Sequence, residues 1–365
     1  MKETWDDLKV IAKGCKEKQK DIKNCKIVLF GAGALGVTAY QTIKKDMDVY
    51  ALADNNSNLH GKKMAQYDDL EVLSPIELEK QKEDYFVIII AMARHYKTIR
   101  EQLSNMEIKC ITYLEYVLAW KFDKFEQVYH ELLQDETSRK TYLSVILGYL
   151  KSDLSYIKNI FVRNQYFEVA EFCTPVTGDV FVDCGAYVGD TVEAYLSTQF
   201  GMVNKIYAFE PTEKNCVAMT YRMERLKKEW ALEDNQLIIE KKIVGSKNGI
   251  EYFLFDSNGS ASNKVANEKN NNVIEVESVS LDVFFEDKKD KPTFIKVDIE
   301  GSEMDLISGA SNIIKHYKPR IAICVYHKIN DLYEIPLAIK KINPDYKMEL
   351  RHHTATYYET VLYCY

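Results

Sequence analysis

The segment FVDCGAYVGDT, Phe181 to Thr191, combines residue types and spacing that could do chemistry. An apolar run ends on Asp183, and Gly185 and Gly189 bracket a turn before a helical stretch that begins near Asp190. Glycine allows the backbone to take positive φ and to approach a ligand without a side-chain clash. The N–H groups at the following helix start favour a carboxylate. Roughly twenty residues further on, KIYAFEP ends a second apolar run on Glu210, where a carboxylate can accept both hydroxyls of a ribose. The looser D-x-G-x-x-x-G turn suits a nucleoside that lacks a pyrophosphate. S-adenosylmethionine fits that description, with Asp183 toward its ammonium side, Asp190 at the helix start that meets its carboxylate, and Glu210 on the ribose. Its adenine is expected near Ile243 to Ser246, where a third strand ends. Either acid alone would more often be an ordinary polar strand end; their joint spacing turns the balance toward cofactor binding.

A second group could act on an acceptor. Methyl transfer to a hydroxyl requires alignment of oxygen, methyl and sulfur, and a base for the proton. Lys296, Asp298 and Glu300 close an apolar run and share one face while the chain stays extended. His327 ends the apolar run Ile321 to Val325 and can take a proton near neutral pH. The expected division of labour has Asp298 and His327 position and deprotonate an alcohol, with Glu300 beside them. Arg351 and His352 are expected to approach the acceptor from the next strand, whereas Lys296 could pair with a carboxylate. Glu303 reads better as an acid offsetting a helix dipole. No metal is expected: Asp298 and Glu300 could supply oxygen ligands, but the sequence shows no separate third ligand.

A third motif, GAGALG, spans Gly31 to Gly36 between a strand and a helix, with Asp54 ending the next strand. Gly31, Gly33, Gly36 and Asp54 have the spacing of a dinucleotide fingerprint. A nucleotide or nucleotide-sugar site and a scaffold that keeps glycine for close helix–sheet packing weigh equally.

These motifs need strands to end on them. At 365 residues the chain accommodates two domains. Residues 1–24 read as an amphipathic helix over Thr4 to Lys23, and 25–115 as a small parallel-sheet Rossmann-like domain. Its strands are Lys26–Phe30, Val49–Ala53, Asp84–Ile90 and Lys109–Tyr113. Residues 116–165 have helical periodicity and read as a connector that roofs the second domain. Residues 166–365 resume the alternation, with strands at Val180–Cys184, Lys205–Glu210, Leu237–Val244, Thr293–Asp298, Arg320–Tyr326, Met348–Arg351 and Thr360–Tyr363. An inserted antiparallel pair, Ile250–Phe255 and Val273–Val279, flanks a polar stretch. The formal net charge of −7 argues against a nucleic-acid partner. The charged start is no signal peptide, and the longest apolar run, Tyr85 to Ala93, is too short for a membrane span. Eight scattered cysteines without CxxC spacing suggest buried thiols, Cys184 and Cys324 among them, in a reducing cytoplasm.

The carboxyl-terminal half resembles the FkbM family of methyltransferases. The resemblance rests on NQYF at Asn164 to Phe167, FVDCGAYVGDT, YAFEP and above all FIKVDIEGSEMDLISGA at Phe294 to Ala310. IAICVYHK at Ile321 to Lys328, followed by Asp331, Ile335 and Pro336, and RHH with ETVLY near the end also fit. It covers Gln165 to Tyr365 and implies a class I methyltransferase sheet of seven strands, whose reversed last strand inserts beside its predecessor. It also implies S-adenosylmethionine-dependent O-methylation of a sugar, glycan or natural-product hydroxyl. IVG at Ile243 to Gly245 departs from the commoner alanine-leucine-glycine ending, which leaves the adenine contacts open. VYALADNN, GKK and LSPIEL resemble a small Rossmann-like module of sugar-processing and glycan-modifying enzymes, some of which bind nucleotide sugars. The expected partners are therefore a small-molecule or glycan substrate, with no nucleic acid, no membrane and a homodimer left open. The rival reading is a catalytically silent nucleotide- or glycan-binding protein that retains the fold.

Overall fold

The structure, a computed structural model, describes residues 3–20, 22–254, 264–266 and 273–365. The chain forms two compact units. One comprises residues 1–129, 140–160 and 355–357, the other 130–139, 161–354 and 358–365. The helical stretch 116–165 is thus divided between them.

The first unit holds strands β1 (Lys26–Phe30), β2 (Val49–Ala53), β3 (Lys63–Met64), β4 (Leu70–Leu73), β5 (Tyr85–Ile89) and β6 (Cys110–Thr112), in the order β3-β4-β2-β1-β5-β6. The sheet is parallel from β4 to β6, as its helical crossovers require. Its edge departs from the expected all-parallel sheet, because β3 runs antiparallel to β4. Asp68 and Asp69, both at positive φ, make the tight reversal between them. The first helix, Trp5–Lys18, starts in a Thr4–Asp7 capping box and stops short of the expected Lys23.

The second unit is built on β7 (Val180–Cys184), β8 (Lys205–Phe209), β9 (Leu237–Glu240), β10 (Ile243–Val244), β11 (Gly249–Leu254), β12 (Lys264–Ala266), β13 (Val273–Val279), β14 (Phe294–Val297), β15 (Arg320–Cys324), β16 (Met348–His352) and β17 (Thr360–Cys364). Seven of these form one sheet in the order β16-β17-β15-β14-β7-β8-β9. The last strand, β17, lies antiparallel between β15 and β16, the class I methyltransferase arrangement. The expected single strand Leu237–Val244 is broken. Lys242 N–H donates to Glu240 O at 2.8 Å, and β10 leaves to pair with β13 in a separate four-stranded sheet. In that sheet β11 and β13 form the expected antiparallel pair, and β12 extends it. Phe255 and most of the polar stretch after it lie outside the described residues.

Aromatic rings lock the large sheet to its helices. Phe181 stacks on Tyr195 with ring centroids 4.3 Å apart, and Phe294 and Phe172 meet edge-on at 5.2 Å. All four are buried, each contributing about 1.5–3 kcal/mol by leaving water. At the amino ends of the central strands, buried Asp179 accepts from Tyr195 Oη at 2.8 Å and also binds Thr293 and Arg320. The carboxyl ends are thereby left to carry the cavity, as in other open α/β sheets. No described helix is long and apolar enough to cross a membrane.

Candidate active site

A cavity of about 300 Å³ opens at the carboxyl ends of β7, β8 and β14, at the lower end of the ~300–1,000 Å³ typical of small-molecule sites. Gly185, Asp190, Glu210 and Ile243 line one side, and Lys296, Asp298 and Glu300 another.

The glycine loop is shaped by contacts that a side chain would destroy. Gly185 has φ +82°, and a Cβ there would sit 1.9 Å from Asp298 O. Gly189, at φ +78°, caps the helix Asp190–Thr198; its Cβ would meet Met219 Cγ at 3.0 Å. Between them Tyr187, also at positive φ, donates its N–H to Glu210 Oε2 at 3.1 Å. Glu210 Oε1 accepts from Thr212 N–H at 2.9 Å and from Asn215 Nδ2 at 3.1 Å. The buried carboxylate therefore ties the two strand ends together. Of its roughly four acceptor positions, three are taken. A grip on both ribose hydroxyls thus requires the Asn215 side chain to give way, since its other donors are backbone.

Asp183 departs from expectation. It is fully buried behind the cavity wall, with Oδ1 3.0 Å from Lys296 Nζ. Burial lifts the Asp183 carboxyl, and the facing ammonium pulls against that rise. Burial would lower the Lys296 ammonium, yet Asp183 and Asp298 outweigh it and hold the lysine charged. Lys296 Nζ also donates to Gly185 O at 2.7 Å. Asp183 thus braces the glycine loop through Lys296, because its strand position turns the carboxylate inward.

On the other side, Asp298 Oδ2 accepts from Tyr166 Oη at 2.9 Å, and Oδ1 faces His327 Nε2 at 3.4 Å. Extended alternation ends here. Glu300 has φ +56° and enters the turn to Gly301, so it reaches the cavity by a bend and not by strand register. His327 Nδ1 stands 2.9 Å from Glu303 Oε1, which also accepts from the Ile299 and Gly301 N–H groups at 3.2 Å. Glu303 is fully buried. It orders this loop and the imidazole, and is no exposed acid offsetting a helix dipole. Burial alone would push the His327 pKa down. Glu303, then Asp298 and Glu300, overcome it and raise it to about 9. The surrounding carboxylates thus favour the charged imidazolium, which opposes the expected role of His327 as a base. Arg351 and His352 do not approach the cavity. Arg351 pairs with Asp135 at 2.7 Å and with Glu349, and buried His352 Nδ1 lies 2.8 Å from Thr360 Oγ1.

Among the cavity residues not singled out for a role from the sequence are Gln165, Tyr166, Tyr326 and Glu359. Tyr326 Oη donates to Glu359 Oε1 at 3.2 Å, and Gln165 Nε2 donates to Oε2. Burial, then Asp298, raises the Glu359 carboxyl. The available signal was NQYF and ETVLY, which carried the family resemblance without an assigned function. Tyr166, Tyr187, Glu300 and Glu359 all take positive φ without being glycine. Such backbone strain, of order 1–3 kcal/mol each, clusters at functional sites.

In the first unit, Gly31 at φ +124° would place a Cβ 2.0 Å from Ile90 O, and a Cβ on Gly36 would lie 2.2 Å from Gly31 O. Gly33 faces open space. Asp54 Oδ2 accepts from Ala32 N–H at 2.9 Å and Oδ1 from Asn56 N–H at 2.8 Å. The loop's own backbone thus holds the acid that a ribose would need. All eight cysteines are free thiols, and Cys184 and Cys324 are buried as expected.

Sheet order and the cavity at its strand ends define a class I methyltransferase-type fold. Residues 183–348 match the family model described as the methyltransferase FkbM domain, and residues 23–111 match one described as C2185-like, N-terminal. The crystal structure of methyltransferase FkbM from Methylobacillus flagellatus KT aligns over 99% of this chain and 98% of that one, with a TM-score of 0.55 and 18% identity. That similarity establishes the fold. UDP-D-quinovosamine 4-dehydrogenase from Vibrio fischeri aligns over 24% of this chain and 77% of its own (TM-score 0.21, 21% identity). An rRNA methylase from Streptococcus thermophilus aligns over 51% and 85% (TM-score 0.30, 12% identity). No curated protein matches the chain.

Proposed function

We propose that this protein is an S-adenosylmethionine-dependent O-methyltransferase acting on a hydroxyl of a sugar, glycan or natural-product-type small molecule. The observation that carries the reading is the buried Glu210 carboxylate, bonded to the Gly185–Gly189 loop at the edge of a cavity that Asp298 also lines. The donor set fits the site: Gly185 packs so closely on Asp298 O that only glycine serves there, which keeps the loop backbone bare at the cavity edge beside Glu210. Glu210 would hold the ribose, Ile243 the adenine side, and the N–H groups at Asp190 the carboxylate. When bound, S-adenosylmethionine supplies an electrophilic methyl group for direct displacement by oxygen.

The chain's own residues do the rest. Tyr166 fixes one oxygen of Asp298, which leaves the carboxylate oriented to align a hydroxyl and take its proton. His327, with Nε2 3.4 Å from Asp298 Oδ1, positions that carboxylate from its other side. Lys296, tied to Asp183, holds the loop that bounds the donor side. The acidic chain favours small acceptors over nucleic acid. For the GAGALG loop we favour the packing role, because a Cβ at Gly31 or Gly36 would collide with the Ile90 or Gly31 carbonyl oxygen.

The test is turnover of the full chain with S-adenosylmethionine and a panel of nucleotide sugars and free glycans, read by mass spectrometry. The expected product carries one added methyl on oxygen, with equimolar S-adenosylhomocysteine. Donor binding without turnover of any hydroxylated acceptor would instead support the catalytically silent reading.

A further inference from the structure

The cavity wall holds a second acid that transfer to a single hydroxyl does not use. One Asp298 oxygen and one Glu359 oxygen lie within 4.8 Å of each other, and both residues line the cavity. Tyr326 Oη reaches both, 3.2 Å from Glu359 Oε1 and 3.5 Å from Asp298 Oδ1. A phenol has one proton, so it satisfies one of these carboxylates at a time. Gln165 Nε2 donates to Glu359 Oε2. The backbone here is pinned: Glu359 O accepts from His353 N–H at 2.9 Å, and Thr360 O from Val325 N–H at 2.9 Å. Glu359 also takes φ +70°, a conformation that costs energy for a residue with a Cβ and is kept where a side chain is held for a task.

An acceptor that enters the cavity displaces water from both acids. Its reacting hydroxyl also carries one proton. Given to Asp298, that proton leaves Glu359 with acceptor positions unfilled in a half-buried wall. Burial first, and the Asp298 charge second, already disfavour the ionised Glu359. A second O–H on the acceptor offsets both, because a hydrogen bond to the charged form favours it. Hydroxyls on neighbouring carbons are spaced to serve two acceptors this close, each through an O–H···O bond of about 2.7–2.8 Å. We propose that Glu359 binds a second hydroxyl of the acceptor, adjacent to the one that Asp298 deprotonates, so that the protein methylates one hydroxyl of a vicinal diol. In that step the reacting O–H gives its proton to Asp298 and its oxygen forms the new C–O bond, while the breaking C–S bond leaves its electron pair on sulfur. The second hydroxyl is unchanged. An oxygen already methylated has no proton for Glu359, so the mono-ether is a poor acceptor for a second transfer. This inference rests on the methyltransferase reading above and adds the class of acceptor.

The experiment measures kcat/KM of the full chain with S-adenosylmethionine and UDP-glucose, UDP-galactose, GDP-mannose or the methyl glycosides of these sugars. Each acceptor is run beside analogues that lack one ring hydroxyl. For a diol that is methylated, removing the neighbouring hydroxyl should lower kcat/KM about 10- to 100-fold, the loss of one hydrogen bond to a charged group. In Glu359→Ala the intact diol should fall to the level of its deoxy analogue, and the two should differ by less than about threefold. A merely structural Glu359 would lower both acceptors alike and keep their ratio; that result overturns the assignment. Circular dichroism checks folding. Glu359→Gln, which keeps the size of the side chain and one acceptor oxygen, should shrink the same ratio by less and serves if the alanine variant fails to fold. Calorimetry with S-adenosylhomocysteine runs in parallel. Isolated hydroxyls methylated as fast as diols, or no diol methylated beside intact S-adenosylhomocysteine binding, overturn the diol and leave the donor site standing. Absence of S-adenosylhomocysteine binding overturns the donor reading and this inference with it.

Discussion

Replacing Glu210 by alanine should separate donor binding from mere fold. In the free protein three donors converge on this carboxylate: Tyr187 N–H, Thr212 N–H and Asn215 Nδ2. One acceptor position on Oε2 is left for a ribose hydroxyl, and a second appears on Oε1 if Asn215 swings away. A hydrogen bond to a charged group contributes about 1.5–3 kcal/mol. At 1.4 kcal/mol per decade, loss of one such bond weakens binding about 10- to 100-fold, and loss of two by roughly the square of that. The loop should also loosen, because Tyr187 N–H and Thr212 N–H lose their acceptor. Glu210→Gln is the companion variant: it keeps one oxygen but presents an amide donor to a backbone N–H. Isothermal calorimetry with S-adenosylhomocysteine measures the affinity, and thermal unfolding shows whether the loop or the whole domain has failed. An affinity within threefold of the parent, in a folded Glu210→Ala chain, would refute the assignment of Glu210 to the donor.

Three further outcomes follow from the same geometry. Lys296→Met leaves Asp183 buried without its cation, and breaking such a pair costs about 3–5 kcal/mol; urea unfolding that shifts by less than about 1 kcal/mol would show the pair to be dispensable. His353 is buried against Val162 O and Tyr363 Oη, and burial lowers its pKa to about 4. Its contribution to stability is therefore complete above the unfolded histidine value of about 6.5 and lost as pH falls toward 4, a change of about 3 kcal/mol; urea midpoints at pH 7 and 4.5 should differ more in the parent than in His353→Gln. Gly36→Ala would drive a Cβ to 2.2 Å from Gly31 O and 2.4 Å from Tyr67 Oη, and should destabilise the chain by about 1–3 kcal/mol or more. Gly33→Ala, facing open space, should cost under about 1 kcal/mol, and equal losses at the two positions would remove the packing account of this loop.

What could be read from sequence was set by how locally each feature is made. Asp183, Gly185, Gly189 and Glu210 belong to two consecutive strand–turn–helix units, so strand period and glycine spacing locate their backbone without knowledge of the rest. The same periodicity placed the long strands within a residue or two. It missed β3 and β4 at the sheet edge, two and four residues long. It also ran β9 into β10, because the turn at Lys241 and Lys242 carries no glycine or proline to mark it. Backbone position did not fix side-chain role. Asp183 and Glu303 read as a ligand contact and a dipole-offsetting acid, whereas burial pairs one with Lys296 and sets the other against His327.

The two sides of the cavity differ in the same way, and this bears on how the proposed enzyme could change its acceptor. The donor side is made by neighbours in sequence, and its loop geometry is enforced at Gly185 by a backbone contact only 1.9 Å from any added Cβ. The acceptor side is assembled by tertiary packing: Tyr166 reaches Asp298 across 132 residues, and Glu359 meets Gln165 across 194. Tyr166 and Glu359 come from segments before and after the strands that hold the donor, so they can vary without disturbing the Glu210 frame. His327 shows the consequence for chemistry. A lone histidine at a strand end invites the role of base. Three carboxylates gathered around it from Asp298, Glu300 and Glu303 favour its cationic form instead. In the proposed reaction, proton removal then falls to the Asp298 carboxylate that Tyr166 orients.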